Sequence, residues 1–322
     1  MTAIPVARVG VLRALPGVGD LLCAVPALRA VRAAHPRARI TLLGLPAAGW
    51  FVDRFRHLVD DLLVVEGVTG IPEVAPDGPA AARFLPAARA RRFDLALQLH
   101  GSGVTSNALA RRLGARRLVA PGVTLRYPDH LPEVHRMLAV AAAAGCPPAG
   151  DHLELPVPAA ERAAAARLVP GHGPLACLHP GASRDENRWP PGRFAALGDH
   201  LDGWGLAVAL TGTAGEAPVT AAVARAMRAP VLDLAGRTGV GTLAALFARA
   251  RVVVSNDTGA AHVAAAVGAA SVVVFPAAGD PDRWAPLDAA RHRRVTPPPG
   301  GTWPPADAVI EAAGAQLGAV AR

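Results

Sequence analysis

Short apolar runs that favour β-strands alternate with Ala- and Arg-rich stretches of helical spacing along the first half of the chain. Such alternation is typical of a parallel sheet that is covered by helices on both faces. The pattern predicts strands at 6–15, 39–45, 61–65 and 93–99 and helices at 20–34 and 80–92.

The alternation starts again after a segment rich in proline and glycine, which contains one helical stretch at 159–168. The final segment begins with proline and continues at helical spacing. We therefore predict an α/β protein of two Rossmann-like domains with parallel sheets, at 1–155 and 156–303, and a C-terminal helix at 304–322 that can pack back on the first domain. The second domain has predicted strands at 175–178, 205–211, 231–234, 251–255 and 270–275.

The chain has 322 residues, which fits two domains of roughly 150 residues each. It is 52% hydrophobic, enough for two cores, and this excludes a disordered chain. The longest apolar stretches, such as 137–144, are well below the ~20 residues that a membrane crossing needs. Charged residues interrupt the first apolar stretch, so we expect no signal peptide there.

The net charge of +8 comes from arginine alone, because the sequence contains no lysine. Schiff-base catalysis is therefore excluded. The arginines are dispersed and not interleaved with aromatic residues, so we expect no nucleic-acid partner. A polyanionic substrate or a phosphate-bearing membrane surface fits the charge equally well. The cysteines, at 23, 146 and 177, form no metal-spaced or redox pair, and we expect a cytoplasmic protein.

The first motif that could carry chemistry is the turn Gly17-Val-Gly19-Asp20, between a predicted strand and a predicted helix. It is a poor dinucleotide fingerprint, because Leu22 occupies the third glycine position and no acid follows the second strand. Asp20 is either a general base for an acceptor hydroxyl or a residue that neutralises the helix start.

The second motif, at 178–190, is a strand that ends in a tight His-Pro-Gly-Ala turn. The backbone near Gly181 can approach an anion closely, and Arg184 and Arg188 have forked donors that suit phosphate. The alternative is a solvated charged loop.

The third motif runs from Val252 to Gly268, where a strand leads into a small-residue turn and an Ala-rich helix. Thr258, Gly259 and Ala260 would present N–H groups at the positive end of that helix, which suits a diphosphate. The alternative for Thr258 is a role as helix cap only. His262 lies one turn further on the same face, as a ligand or as a core residue.

The fourth motif is a Gly-rich turn at 211–216, where Glu216 stands at the start of a helix. It is placed to accept a hydrogen bond from a ribose hydroxyl, or only to complement the helix dipole.

These motifs, in this order, resemble glycosyltransferase family 9, the group that contains the ADP-heptose:lipopolysaccharide heptosyltransferases. The resemblance covers nearly the whole chain. It is carried by Arg13, Gly19-Asp20, Pro26-Ala-Leu28, His35-Pro36, Asp94–Gly101, His130-Leu-Pro-Glu133, His179–Ala182, Arg188-Trp189-Pro190 and Asp257–His262.

The resemblance implies the GT-B architecture, with an N-terminal acceptor domain and a C-terminal nucleotide-sugar domain. It implies inverting transfer of a heptose-like sugar from a nucleotide diphosphate to a cell-envelope glycan, with no metal and no cofactor. Asp20 would be the catalytic base, and Arg13, Gly19 and His100 would bind an anionic glycan or lipid-linked acceptor. The donor would be bound by Gly181, Arg184, Asn187, Arg188, Glu216, Asp257, Thr258, Gly259, Ala260, Ala261 and His262.

One position departs from the family pattern. Asn187 stands where members similar to the lipopolysaccharide enzymes carry a lysine. Either Arg184 or Arg188 substitutes for it, or the donor preference or activity is altered. Contact with a membrane is expected to be peripheral at most.

Two other functions also fit these residues. A sugar-nucleotide epimerase would share the architecture and the donor loop, and a non-catalytic sugar-nucleotide-binding protein would fit Asn187. The arginines at 111, 112, 116, 117 and 126 form either a basic face for an anionic acceptor or an ordinary solvated surface.

Overall fold

The computed structural model describes residues 6–171 and 173–320, the side chain of Val320 excepted. It divides into two compact units, Met1–His152 and Leu153–Arg322. The boundary between these units falls three residues before the end of the first domain as predicted from sequence.

The first unit contains one five-stranded parallel sheet with the order β3-β2-β1-β4-β5. The order is that of a Rossmann fold, in which the chain builds outward on one side of β1 and then crosses to the other side. Its elements are β1 (Arg8–Leu12), α1 (Val18–Ala34), β2 (Arg39–Gly44), α2 (Gly49–Arg54), β3 (Asp61–Val64), α3 (Gly78–Ala90), β4 (Leu95–Gln98), α4 (Asn107–Arg112), β5 (Arg117–Val119) and α5 (Glu133–Ala143).

The central strands of this sheet are buried on both faces, which explains their continuous apolar sequence. Helices α1 and α5 pack against each other. Helix α1 buries eleven of its residues, including Leu21, Leu22 and Leu28. On the other face, Phe84, Phe93 and Leu109 belong to a separate cluster of buried side chains. Helices therefore cover both faces, as the sequence pattern predicts.

The second unit contains a six-stranded parallel sheet with the order β11-β10-β9-β6-β7-β8. This is again the Rossmann order, with the change of direction between β6 and β9. Its elements are α6 (Ala159–Leu168), β6 (Leu175–His179), α7 (Pro191–Gly203), β7 (Ala207–Leu210), α8 (Ala217–Ala226), β8 (Val231–Asp233), α9 (Val240–Arg249), β9 (Val252–Asn256), α10 (Gly259–Ala266), β10 (Ser271–Val274), α11 (Pro281–Trp284), β11 (His292–Val295) and α12 (Ala306–Val320).

The last helix, α12, packs on α7, β9, β10 and β11, all of them in the second unit. Val309 and Ala313 are fully buried there, among side chains of β6, β9 and β10. The helix therefore contributes to the core of the second unit, and its predicted packing on the first domain stays a prediction. Two strands, β5 and β11, were not predicted. Both lie at sheet edges, and arginines interrupt their apolar pattern.

Candidate functional site

Asp20 is the third residue of α1, directly after the loop that follows β1. Gly17 precedes the helix with extended backbone, and a Cβ added there would lie 2.4 Å from Asp20 Oδ2. The carboxylate therefore folds back over the helix start, in space that only glycine leaves. The Asp20 side chain remains 24% exposed. An acid in this position is stabilised by the helix dipole and still reachable from solvent.

Arg13 fixes the orientation of Asp20 through hydrogen bonds to its carbonyl and its carboxylate. Its side chain is fully buried. Nε donates to the Asp20 carbonyl at 3.2 Å, and Nη2 donates to Asp20 Oδ1 at 3.3 Å. Nη1 donates to the Leu99 carbonyl at 2.7 Å and to Glu133 Oε1 at 3.1 Å. Arg13 is thus placed to position the Asp20 carboxylate, and its predicted contact with an acceptor stays a prediction. Gly19, its predicted partner in that contact, is also buried in α1.

Glu133 is the site residue that the sequence reasoning missed. It is the first residue of α5, it is 3% exposed, and its carboxylate lies against a guanidinium that also contacts Asp20. A carboxylate is almost never buried unless it is paired, so Glu133 and Arg13 stabilise each other. The available signal was the His130-Leu-Pro-Glu133 motif, which the resemblance included without assigning Glu133 a role.

His100 lies beside this network, in the loop that follows β4. Its Nδ1 accepts a hydrogen bond from the Ala14 N–H at 3.3 Å, so Nε2 carries the proton of the neutral ring. Nε2 lies 3.4 Å from a carboxylate oxygen of Glu73. The pKa of His100 is lowered, chiefly because the ring is buried. The negative charge of Glu73 opposes this shift, and the positive charge of Arg13 adds to it. A neutral His100 is thus held in one tautomer, with 8% of the residue exposed.

A second polar network supports His100 from the sheet. Gln98 Oε1 accepts from the His100 N–H at 2.5 Å, and Gln98 Nε2 donates to Ser106 Oγ and Asn107 Oδ1. Ser106 donates back to the His100 carbonyl, and Asn107 Nδ2 donates to the Pro121 carbonyl. The loop after β4 is therefore fixed to the loop after β5 by buried side chains.

The predicted basic face divides into two groups. Arg117 donates to the carbonyls of Ala143 and Ala144 and so caps the end of α5. Arg116 lies 3.4 Å from Asp94. Arg111, Arg112 and Arg126 are exposed, and the basic face stays a prediction.

In the second unit, Asn256 connects the two loops at the change of strand direction. It is the last residue of β9 and is fully buried. Its Nδ2 donates to the carbonyls of Pro180 and Gly181 at 2.9 and 3.2 Å, and its Oδ1 accepts from the Trp189 N–H at 3.0 Å. In open parallel sheets, ligands bind where strand order reverses, at the carboxyl ends of the strands. The motifs after β6 and β9 meet at this position.

Thr258 is the N-cap of α10, and its hydroxyl accepts from the Ala260 N–H at 3.3 Å. The capping alternative for Thr258 is therefore observed. The N–H groups of the first turn still point out of the helix end, where an anion is favoured. His262 and Ala261 are buried in α10, and the His262 ring stands edge-on to Trp284 at 6.3 Å between centroids.

Asp257 precedes Thr258, and the pKa of its carboxyl group is raised. Burial, together with the negative charge of Asp280, raises the pKa of Asp257 to about 7. Asp280 is the N-cap of α11 and accepts from the Arg283 N–H at 3.1 Å. Asp257 is thus partly neutral near pH 7, which weakens the repulsion that it would exert on a diphosphate bound at α10.

Glu216 folds back onto the turn that precedes it. Its Oε2 accepts from the N–H and the hydroxyl of Thr213, which forms a capping box. A Cβ added to Gly181 would lie 2.2 Å from the Glu216 carboxyl carbon, so the two loops touch here. His179 Nε2 lies 3.9 Å from Glu216, and burial lowers the pKa of this histidine. Glu216 therefore stabilises the turn after β7, at the carboxyl ends of the strands.

The arginines of the loop after β6 differ in freedom. Arg188 donates through Nε and Nη2 to the Ala182 carbonyl and forms an ion pair with Asp185. Arg184 is 69% exposed and lies 3.5 Å from the equally exposed Glu186. Asn187 lies between them in a short 3-10 turn. Of these two arginines, Arg184 has the freedom to turn toward a ligand.

Among the residues that the structure describes, no cluster of three or more His, Cys, Asp or Glu side chains has an arrangement that could hold a metal ion. Within the same residues, every helix is too short or too polar to span a bilayer.

Residues 82–295 match the model of Glycosyltransferase family 9 (heptosyltransferase), which is more than half of the chain. The chain belongs to glycosyltransferase family 9. The predicted family is therefore confirmed, and the family places the chain among the glycosyltransferases.

Lipooligosaccharide heptosyltransferase 2 of Haemophilus influenzae is 34% identical over 110 residues, which cover 33% of this chain and 32% of that protein. Two solved structures share the fold of this family 9 chain over nearly its full length. A family 9 glycosyltransferase of Veillonella parvula has a TM-score of 0.80 at 19% identity, with 98% of this chain and 99% of that chain covered. The ADP-heptose lps heptosyltransferase II of E. coli has a TM-score of 0.74 at 22% identity, with 97% and 98% covered. The predicted pair of Rossmann-like domains, as in GT-B enzymes, is confirmed.

Proposed function

We propose that this protein is an inverting glycosyltransferase that transfers a heptose-like sugar from a nucleotide diphosphate to an anionic glycan acceptor of the cell envelope. The observation that carries the proposal is the half-buried carboxylate of Asp20, held over the start of α1 by the buried guanidinium of Arg13. Membership in a family of heptosyltransferases supports the sugar class.

In this proposal, Asp20 accepts the proton of the acceptor hydroxyl as the hydroxyl oxygen attacks the anomeric carbon of the donor. The bond from that carbon to the phosphate oxygen breaks, and the electron pair leaves with the nucleoside diphosphate. One displacement inverts the anomeric centre without a covalent intermediate. His100 is a second candidate for acceptor contact, because its neutral ring presents an N–H beside Glu73.

The leaving diphosphate would bind at the N-terminus of α10, next to Thr258 and Gly259. Helix N–H groups and an arginine stabilise developing negative charge without a metal ion. Arg184 is the arginine we assign to this role in place of the family lysine at position 187, because Arg188 already binds the Ala182 carbonyl. The raised pKa of Asp257 removes part of the opposing charge.

The proposed donor is ADP-heptose or a close analogue, because the structural relatives include an ADP-heptose enzyme and the E. coli heptosyltransferase WaaC in complex with ADP. WaaC has a TM-score of 0.68 at 20% identity, with 90% of this chain and 93% of that chain covered. The relative named for lipooligosaccharide supports an acceptor of that class. We propose that the reaction takes place in the cytoplasm, without metal or cofactor.

The test compares Asp20→Asn and Asp20→Ala with the exposed control Asp53→Asn. ADP release from ADP-heptose is measured with and without a deacylated lipopolysaccharide acceptor, and ADP binding is measured by calorimetry. We expect loss of acceptor-dependent turnover by at least 10²-fold in both Asp20 variants, with ADP affinity unchanged.

Retained turnover in the Asp20 variants would contradict the role of Asp20. Conversion of the donor sugar without acceptor would indicate an epimerase. Tight ADP binding by the unmodified protein, with no transfer to any lipopolysaccharide-derived acceptor, would indicate a binding protein.

A further inference from the structure

The second unit contains an apolar pocket that the proposed reaction does not use. Its volume is about 570 Å³, within the range of about 300–1,000 Å³ that small-molecule sites occupy. Five of the six residues that line it carry no charge, and the sixth is an arginine. The lining consists of Pro174, Trp204, Leu206, Arg251, Gly314 and Leu317.

The pocket lies at the amino ends of the strands, whereas the candidate donor site lies at their carboxyl ends. Pro174, Leu206 and Arg251 each stand directly before a strand, namely β6, β7 and β9. The donor motifs follow the carboxyl ends of β6 and β9. Because the strands are parallel, their amino ends meet at the other edge. A ligand here would therefore be separate from the sugar nucleotide.

The wall of the pocket shows two features that folding alone does not favour. Trp204 is 44% exposed, although a large aromatic ring gains from burial. Gly314 lies inside α12, where glycine is disfavoured relative to alanine. A Cβ added to Gly314 would lie 3.3 Å from the Trp204 ring. The glycine makes room for an indole that leaves much of its surface to the pocket.

The charge at the pocket rim is positive. Arg251 is exposed, and within the described part of the chain its guanidinium makes no ion pair and no hydrogen bond to another side chain. Its backbone N–H is bonded to the Leu175 carbonyl, which fixes the start of the side chain at the sheet edge. A single cation beside an apolar wall matches one anionic group on an apolar body.

We propose that this pocket binds a free acyl carboxylate, with the aliphatic chain against Trp204, Leu206 and Leu317 and the carboxylate paired with Arg251. The single arginine favours a monoanion over a membrane surface, which is normally recognised by several basic residues together.

Quenching of tryptophan fluorescence by a bromo-substituted undecanoate, below its micelle concentration, tests the proposal on the full chain. We expect saturable quenching that is lost in Trp204→Phe, since bromine quenches only a ring that it contacts. The matching bromo-alcohol should bind about tenfold more weakly, because it lacks the charge. Unlabelled acids should compete with an affinity that rises about fourfold per methylene between octanoate and decanoate.

Two variants separate the parts of the site. Arg251→Gln, an exposed substitution, should weaken the acid about tenfold and leave the alcohol unchanged. Gly314→Leu should fill the pocket and abolish saturation, and circular dichroism checks its fold. Non-saturable quenching in the unmodified protein, equal quenching in Trp204→Phe, or equal affinity in Arg251→Gln would each overturn the proposal. Quenching only by brominated phospholipid vesicles would do so as well.

Discussion

Substitution of Glu133 by glutamine tests whether the buried ion pair at the start of α5 holds Asp20, the proposed catalytic base, in place. Glutamine keeps the shape and one acceptor oxygen but removes the negative charge. The guanidinium of Arg13, fully buried, then has Asp20 as its remaining carboxylate among the contacts described above.

The expected cost follows from that geometry. Breaking a buried ion pair by removal of one partner costs about 3–5 kcal/mol, and a hydrogen bond to a charged group contributes about 1.5–3 kcal/mol. Because glutamine retains an acceptor, we expect Glu133→Gln to lower the free energy of unfolding by about 2 kcal/mol. For units of this size, that corresponds to a fall in Tm of about 4–8 °C.

The same change should slow the reaction. Without Glu133, the guanidinium turns toward Asp20 and shifts the carboxylate away from its present position. We expect kcat to fall about tenfold, or about 1.4 kcal/mol, while KM for the donor stays within twofold, because the proposed donor motifs lie in the other unit.

The assay is ADP release with saturating acceptor, together with thermal unfolding of the same preparations. Glu66→Gln is the matched control, since Glu66 is exposed and a surface substitution normally changes stability by less than 0.5 kcal/mol. If Glu133→Gln behaves as this control in both measurements, the positioning argument for Glu133 is refuted.

Further predictions concern the proposed donor site in the second unit. Gly181→Ala should displace the Glu216 carboxylate, because the new Cβ would lie 2.2 Å from its carbon, and ADP affinity measured by calorimetry should fall about tenfold. The raised pKa of Asp257 means that the native state keeps a proton that the unfolded chain has lost, so stability falls as pH rises from about 4 to about 7. Asp257→Asn should remove that loss, up to about 4 kcal/mol, and unfolding at pH 5 and pH 8 should then differ less than in the unmodified protein. Asn256→Ala should lower the free energy of unfolding by about 2–4 kcal/mol, because three hydrogen bonds are lost in a buried site, and a loss below 0.5 kcal/mol in urea unfolding would contradict this.

Much of the fold could be predicted because central parallel strands are buried on both faces and so have continuous apolar sequences. Strands β5 and β11 were not predicted, because they are not buried in this way. Arg117-Leu-Val119 and His292-Arg-Arg-Val295 lie at sheet edges, where one side faces solvent and charged residues are tolerated. The pattern that identifies an inner strand is absent from such segments.

The candidate site was predictable where its residues follow one another in sequence. Asp20 after a strand, and Thr258 at a helix start, follow from local order alone. The pair of Arg13 and Glu133 did not, because 120 positions separate the two residues and only the packing of α1 against α5 brings them together.

Asn256 was overlooked because an amide at a strand end is typical of any turn, so its sequence context is not distinctive. The local role of Glu216, by contrast, was readable from the spacing of Thr213 and Glu216, which is that of a capping box.

The buried amide of Asn256 has a consequence for the thermodynamics of substrate capture. Because one buried side chain already links the segments that follow β6 and β9, neither segment has to become ordered when a nucleotide binds at the proposed donor site. A preorganised binding site of this kind has a smaller entropic cost of binding, because no flexible loop has to become ordered. Calorimetric titration of ADP should therefore show only a small conformational penalty, and loosening this link should weaken affinity chiefly through the entropic component.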